Sequence, residues 1–207
     1  MRFVFALVAM LFAGTAFGQT TLMQVVSLDC QFCAKFHSEG PMDRLVKHAS
    51  NLDVSLRVAA FGPLVQSGGD PAPKPPVALF YAAAKMSPEA SPTIAEQFYR
   101  FYEQERRTGL FPPKPQVVDQ ISVAAGLSPE QLESYFQSNL KNHFRSWQKT
   151  AVILSKALAM SGSSEVTTPA FVLIKDGQVA GYTHWQGDSS STFSAVKKLI
   201  TGADNER

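Results

Sequence analysis

The chain has 207 residues, 45% of them hydrophobic and 17% charged, with a formal net charge of +2 and only two cysteines. A balance this close to neutral offers no broad basic face and no acidic tail, so nucleic acid is not an expected partner. Length and apolar fraction predict a compact chain with one good-sized core, or one core carrying an insertion.

Met1-Arg2, an apolar run from Phe3 to Ala13 and the small-residue segment Gly14 to Gly18 form the charge, core and cleavage pattern of a signal peptide. Residues 1–18 are expected to be removed between Gly18 and Gln19. The apolar run is about half of the ~20 residues a spanning helix needs. No later stretch is uniformly apolar over that length, which predicts a soluble exported protein with no membrane insertion after cleavage.

Thr21 to Leu28 is short, apolar and rich in β-branched residues, as in a strand buried on both faces. Cys30 to Glu39 reads as a helix with Cys33 and Phe36 turned inward, and Gly40-Pro41 breaks it. A second helical piece carries Met42, Leu45 and Val46 on one side and ends near Ser50-Asn51. Val54 to Phe61 is the next strand, parallel to the first in a β-α-β unit. From Gly62 to Pro76 the composition turns to Gly, Pro, Ser and Asp, which reads as loop.

Helical patterns then cover Val77 to Lys85, Pro92 to Thr108, Gln116 to Ala125 and the region from Pro129 to about Met160. Ser91-Pro92 and Ser128-Pro129 each place a capping residue before a proline, and Gln131 completes a capping box with Ser128. Phe98, Tyr99, Phe101, Tyr102, Phe136, Phe144 and Trp147 recur at helical spacing and read as packing residues. Ala170 to Lys175 and Gln178 to Tyr182 flank Asp176-Gly177, a hairpin signal. Ser190 to Thr201 closes the chain as a helix with Phe193, Val196, Leu199 and Ile200 on its apolar face.

The order β-α-β, helical block, β-β-α is the layout of an α/β thioredoxin-like fold with an inserted all-helical subdomain. The core is expected in 19–76 and 161–207 and the insertion in 77–160.

Cys30 and Cys33 lie in the stretch Asp29 to Phe36. As a staple the bridge is poorly placed, because closing so short a loop stabilises by roughly 2 kcal/mol against about 3 to 5 for long loops. For exchange the spacing is favourable: helix positions i and i+3 lie about 5 Å apart at Cα, inside the roughly 4.4 to 6.8 Å a disulfide tolerates. A helix start also favours a thiolate. The outer Cys30 is therefore the expected nucleophile and the deeper Cys33 the resolving thiol.

Cys30-Gln31-Phe32-Cys33-Ala34-Lys35-Phe36 after a buried strand, a helical insertion, and Thr168-Pro169 opening a later strand together resemble the DsbA-type thiol:disulfide oxidoreductases of the bacterial periplasm. The resemblance implies a periplasmic location, exported protein substrates, a membrane redox partner that oxidises or reduces the pair, no cofactor, and a monomer. It also implies a cis bond before Pro169, beside the cysteines, with Thr168 offering backbone groups to an extended substrate. On the residues alone Thr168-Pro169 is an ordinary trans strand start.

Three departures from that family bear on oxidant strength. Gln31-Phe32 puts no imidazole between the cysteines. Gln24, six residues before Cys30, stands where the family carries a buried acid, and it cannot ionise. Asp29 adds a negative charge beside Cys30 and competes for the N–H groups a thiolate would use. These predict a Cys30 pKa above that of the strongest oxidants of the class. Thr168-Pro169 with an aromatic second dipeptide residue also resembles the periplasmic disulfide isomerases. Those carry an N-terminal dimerisation domain, for which Gln19 to Thr21 leaves no room.

Zinc would need two further ligands, and His37, His48, His143 and His184 form no second pair motif, so no metal is expected. His37, one turn after Cys33, reads either as a solvated helix residue or as a group tuning the local field. Lys74 lines a substrate groove or is plain surface, and Trp185-Gln186-Gly187 caps the core or is plain packing. The predicted activity is disulfide exchange, with donation during oxidative folding favoured. Two readings stay open beside it: a reductase or isomerase kept reduced by a membrane partner, and a non-catalytic binding module with an inert disulfide.

Overall fold

Strand β1, Thr21–Val26, is the centre of the fold, and the computed structural model, which describes residues 20–62, 64–67 and 70–202, explains why it is apolar throughout. Leu22 and Val26 pack on one side of the sheet with Cys33 and Phe36, while Met23 and Val25 pack on the other with Leu154 and Ala157. β1 pairs in parallel with β2 (Ser55–Ala60) and antiparallel with the strand Ala170–Lys175. That strand pairs antiparallel with Gln178–His184. The expected signal peptide at 1–18 lies outside the described residues.

Between β1 and β2 run α1 (Gln31–Ser38) and α2 (Pro41–Asn51). The chain turns between them at Gly40, whose φ of +86° suits a residue without a Cβ. Met42, Leu45 and Ala49 bury the inner face of α2, and Val46, expected there, is instead 38% exposed. The Gly- and Pro-rich stretch expected as loop contains β3 (Leu64–Ser67) and β4 (Asp70–Pro73), paired antiparallel as a separate two-stranded ribbon. Prolines are tolerated there because each strand of a ribbon has a free edge.

The helical block follows: α3 (Pro75–Met86), a short 3-10 turn at Pro88–Ala90, α4 (Ser91–Thr108), α5 (Lys114–Ala125), α6 (Pro129–Ser138) and α7 (Leu140–Ser161). Ser128 and Gln131 make the expected capping box. Ser91 does not cap α4; its hydroxyl accepts the buried N–H of Val58 at 3.0 Å, an orphan at the edge of β2. Two aromatics fasten the block to the sheet. The buried Tyr81 hydroxyl donates to the Ala60 carbonyl and lies 3.0 Å from Thr150 Oγ1 of α7. Trp147 of α7 donates to the Gly62 carbonyl at 3.0 Å and stacks on Phe61.

After α7 come β5 (Ala170–Lys175) and β6 (Gln178–His184), joined at Asp176-Gly177 with φ of 52° and 73°, the primed turn that the pair predicts. Helix α8 (Ser189–Thr201) starts at an Asp188 cap and buries Val196 and Ile200. The four-stranded order β2-β1-β5-β6, with α3 to α7 entering between β4 and β5, is the α/β thioredoxin-like arrangement with a helical insertion.

Candidate active site

β1 ends at Val26 and delivers the chain through Ser27 to Asp29 into α1, so Cys30 sits at the helix cap and Cys33 in its first turn. The cap is the sulfur itself: Cys30 Sγ accepts the N–H of Cys33 at 3.4 Å. Asp29 does not take that place, contrary to the expectation from the sequence. Its carboxylate accepts the Ser27 hydroxyl, and its carbonyl accepts Arg106 Nη1 of α4 at 3.3 Å. The competition for helix N–H groups predicted for Asp29 is therefore absent, because Ser27 turns the carboxylate away.

The two sulfurs are free thiols with opposite character. Cys30 is partly exposed and its pKa is lowered from 9.0 to about 6, chiefly by the Cys33 thiol donating to it. Burial opposes that shift, and Thr168 and the N–H groups of Cys33 and Phe32 reinforce it. Cys33 has no exposed surface, and burial, aided by the nearby Cys30 sulfur, pushes its pKa well above 9.0. A sulfur that is ionised near neutrality and reachable stands one helical turn from a sulfur that is neither.

From the far end of the sequence, the loop before β5 brings Thr168 and Pro169 to the pair. The bond between them is cis, and the Cys30 thiol lies 3.5 Å from the Thr168 carbonyl. The Pro169 carbonyl accepts the Trp185 N–H at 3.0 Å from the end of β6. Trp185 in turn stacks on Phe32, ring centroids 5.3 Å apart at 27°, while Phe32 is 53% exposed. An aromatic ledge thus flanks the reachable sulfur. On the other flank a cavity of about 530 Å³ opens between Asp29, Gln31 and Lys74 on the core side and Glu105, Arg106 and Phe111 of the insertion. Lys74 lines this cavity; Gln186 and Gly187 lie exposed on the surface beyond Trp185.

Behind the pair lies a polar group that the sequence only half revealed. Gln24 is fully buried and its Oε1 lies 3.1 Å from His37 Nε2. His37 is thus not the solvated helix residue that its position allows; burial lowers its pKa to about 3, so it stays neutral. The edge of Tyr99, from α4, meets the His37 ring at 5.0 Å. Tyr99 read as packing because its aromatic spacing on α4 matches that of Phe98 and Phe101. The available signal was a hydroxyl on the buried stripe, a group that needs a partner. Among the described residues no group of three or more His, Cys, Asp or Glu is arranged to hold a metal, and no helix is long and apolar enough to cross a membrane.

No protein-family model and no curated protein matches the sequence. Solved structures do match the fold. A provisionally assigned protein disulfide isomerase from Nitrosomonas europaea aligns with a TM-score of 0.59 at 11% identity, covering 89% of this chain and 97% of that one. The oxidoreductase DsbA of Xylella fastidiosa aligns at 0.55 and 15% identity over 91% and 88%. DsbA of Pseudomonas aeruginosa aligns at 0.54 and 13% over 91% and 85%. The similarity is one of architecture along nearly the whole chain, insertion included.

Proposed function

We propose that the chain is an exported thiol:disulfide oxidoreductase acting on exported proteins, with Cys30 as the attacking sulfur and Cys33 as the resolving one. One observation carries this reading: the opposed acidity of two sulfurs one helical turn apart, the reachable one held near pKa 6 and the buried one pushed up. A structural bridge needs neither property, whereas exchange needs both, a thiolate to attack and a sheltered thiol to complete the transfer. Thr168 beside Cys30 and the Phe32–Trp185 ledge support the same reading, since they form a surface on which an extended chain can lie against the sulfur.

Stabilising the Cys30 thiolate stabilises the reduced form, which makes the disulfide easier to reduce and so favours donation to clients. Fold neighbours named as DsbA oxidoreductases and one provisionally named as an isomerase fit donation and isomerisation respectively. The periplasm, a membrane partner that resets the pair, a monomer, and a boundary between core and insertion at residues 77 and 160 belong to this proposal.

The test is trapping. A Cys33→Ala chain is expressed with its leader, and exported proteins are searched for mixed disulfides on Cys30. Equilibration of the wild-type pair against glutathione buffers then gives the direction. Mixed disulfides that a Cys30→Ala chain does not form are the expected result. A wild-type disulfide that withstands mild thiols would instead make the protein a binding module with an inert bridge.

A further inference from the structure

Cys33 must exist as a thiolate at one moment of exchange, either when it attacks a mixed disulfide or when a client sulfur displaces it. Full burial makes that state costly. Neither neighbour on its own side of the core can carry a charge in compensation. Gln24 does not ionise, and the buried His37 is held neutral with its Nε2 facing Gln24 Oε1.

Tyr99 differs. It is 4% exposed, and its hydroxyl is buried without a hydrogen-bond partner. Its ring meets His37, and His37 lies four residues after Cys33 on the same face of α1, so α4 lays Tyr99 along the stripe that ends at the sulfur. Burial first, and then the Cys33 and Cys30 sulfurs as the charged groups that bear on it, hold the hydroxyl protonated. On Cys33 itself, the groups that bear are Cys30, Thr168 and the Ser27 backbone.

We propose that Tyr99 is a positioning residue for the resolving thiol: its hydroxyl, brought in by the helical insertion, donates to Cys33 Sγ when that sulfur becomes a thiolate. The inference rests on the exchange reading above. In resolution, a water or buffer base removes the Cys33 proton, and the thiolate attacks Cys30 Sγ. The Cys30–Cys33 bond forms, the bond from Cys30 to the client sulfur breaks, and the client leaves as a thiolate that is reprotonated by water. In donation the same steps run backwards, with Cys33 as leaving group. Tyr99 keeps its proton throughout.

The experiment uses the full-length mature protein, with thionitrobenzoate as the leaving thiol. Reduced protein is mixed with the aromatic disulfide reagent, and release of the second thionitrobenzoate, which reports Cys33 attacking Cys30, is followed against pH. A hydrogen bond to a charged group corresponds to about one pKa unit or more. Tyr99→Phe, which keeps the ring, is therefore expected to slow release about tenfold near neutrality and to move the inflection up by about one unit. Tyr182→Phe, which deletes an unpartnered buried hydroxyl on β6, leaves both unchanged. Global replacement by 3-fluorotyrosine, which strengthens the donor, moves the inflection down and serves if Tyr99→Phe does not fold. Equal release by wild type and Tyr99→Phe, or no shift in the fluorinated protein, overturns the inference. Absence of a second release in the wild type would instead overturn the exchange reading.

Discussion

Replacing Cys33 by Ala removes the largest single cause of the acidity of Cys30, the thiol that donates to its sulfur. A hydrogen bond to a charged group contributes about 1.5 to 3 kcal/mol, or roughly one to two pKa units. The Cys30 inflection should therefore rise from about 6 in the reduced wild type toward 7 or 8 in the variant, held below 9.0 by Thr168 and the two backbone N–H groups. At pH 7 the wild-type sulfur is about 90% thiolate and the variant's about 10 to 50%, so alkylation by iodoacetamide slows up to about tenfold. The assay is the pH dependence of alkylation at Cys30, read by mass in both proteins. The sign follows from linkage: a folded pKa below 9.0 stabilises the reduced form fully above pH 9 and loses that contribution as pH falls through about 6. At pH 7 the wild-type shift amounts to about 1.4 kcal/mol, or 30 mV toward oxidant, and screening at a partly exposed sulfur reduces it by roughly half. A variant inflection at or below that of the wild type refutes the reasoning, and a wild-type inflection near 9 refutes the site electrostatics altogether. Trapping of clients with this variant should accordingly work best above pH 8.

Other substitutions probe what surrounds the pair. His37 is depressed to about 3 from 6.5, so the stability it contributes is complete above pH 6.5 and is lost as pH falls toward 3, about 5 kcal/mol at the limit. Gln24→Glu gives the imidazolium a carboxylate partner, and urea unfolding at pH 7 and pH 5 should differ less in that variant than in wild type; an equal or larger loss contradicts the Gln24–His37 contact. Tyr81→Phe removes the hydroxyl that the buried Ala60 carbonyl accepts, while Thr150 keeps its bond to the Ser146 carbonyl, and should cost about 1 to 3 kcal/mol in urea unfolding, against no change if the hydroxyl were solvated. At Gly181 an added Cβ would stand 2.5 Å from Leu199 Cδ1 of α8, the free end of a half-buried side chain, so Gly181→Ala should cost about 1 kcal/mol or less as that end turns to another rotamer. Gly181→Ala combined with Leu199→Ala should recover part of the loss.

The elements that declared themselves in the sequence are those whose local chemistry and tertiary role agree. β1 is apolar along its length because both its faces are buried, Asp176-Gly177 needs two positive φ values, and Ser128 with Gln131 satisfies its own helix end. The β3–β4 ribbon stayed hidden because its strands are only four residues long and β4 carries Pro71 and Pro73, which read as turn, so only pairing makes them strands. Ser91 was misplaced because a proline behind it mimics a cap, while the buried N–H of Val58, far away in sequence, claims its hydroxyl. At the site, Cys30, Cys33, Thr168 and Pro169 converge as the spacing and the resemblance implied. What could not be read was orientation. Asp29 turns to Ser27, His37 turns inward to Gln24, and Tyr99 looks like its aromatic neighbours until the ring edge is seen against His37. Each depends on contacts across elements that no periodicity encodes.

The stack of Phe32 on Trp185 also equips the protein as its own optical probe. The chain has two tryptophans; Trp147 is tied to Gly62 where α7 meets the end of β2, and Trp185 rests on the dipeptide between the sulfurs. A Trp147→Phe chain therefore retains a single indole within one ring's contact of the pair. Its emission isolates opening and closing of the sulfur bridge from events in the rest of the molecule, without any label attached to a cysteine.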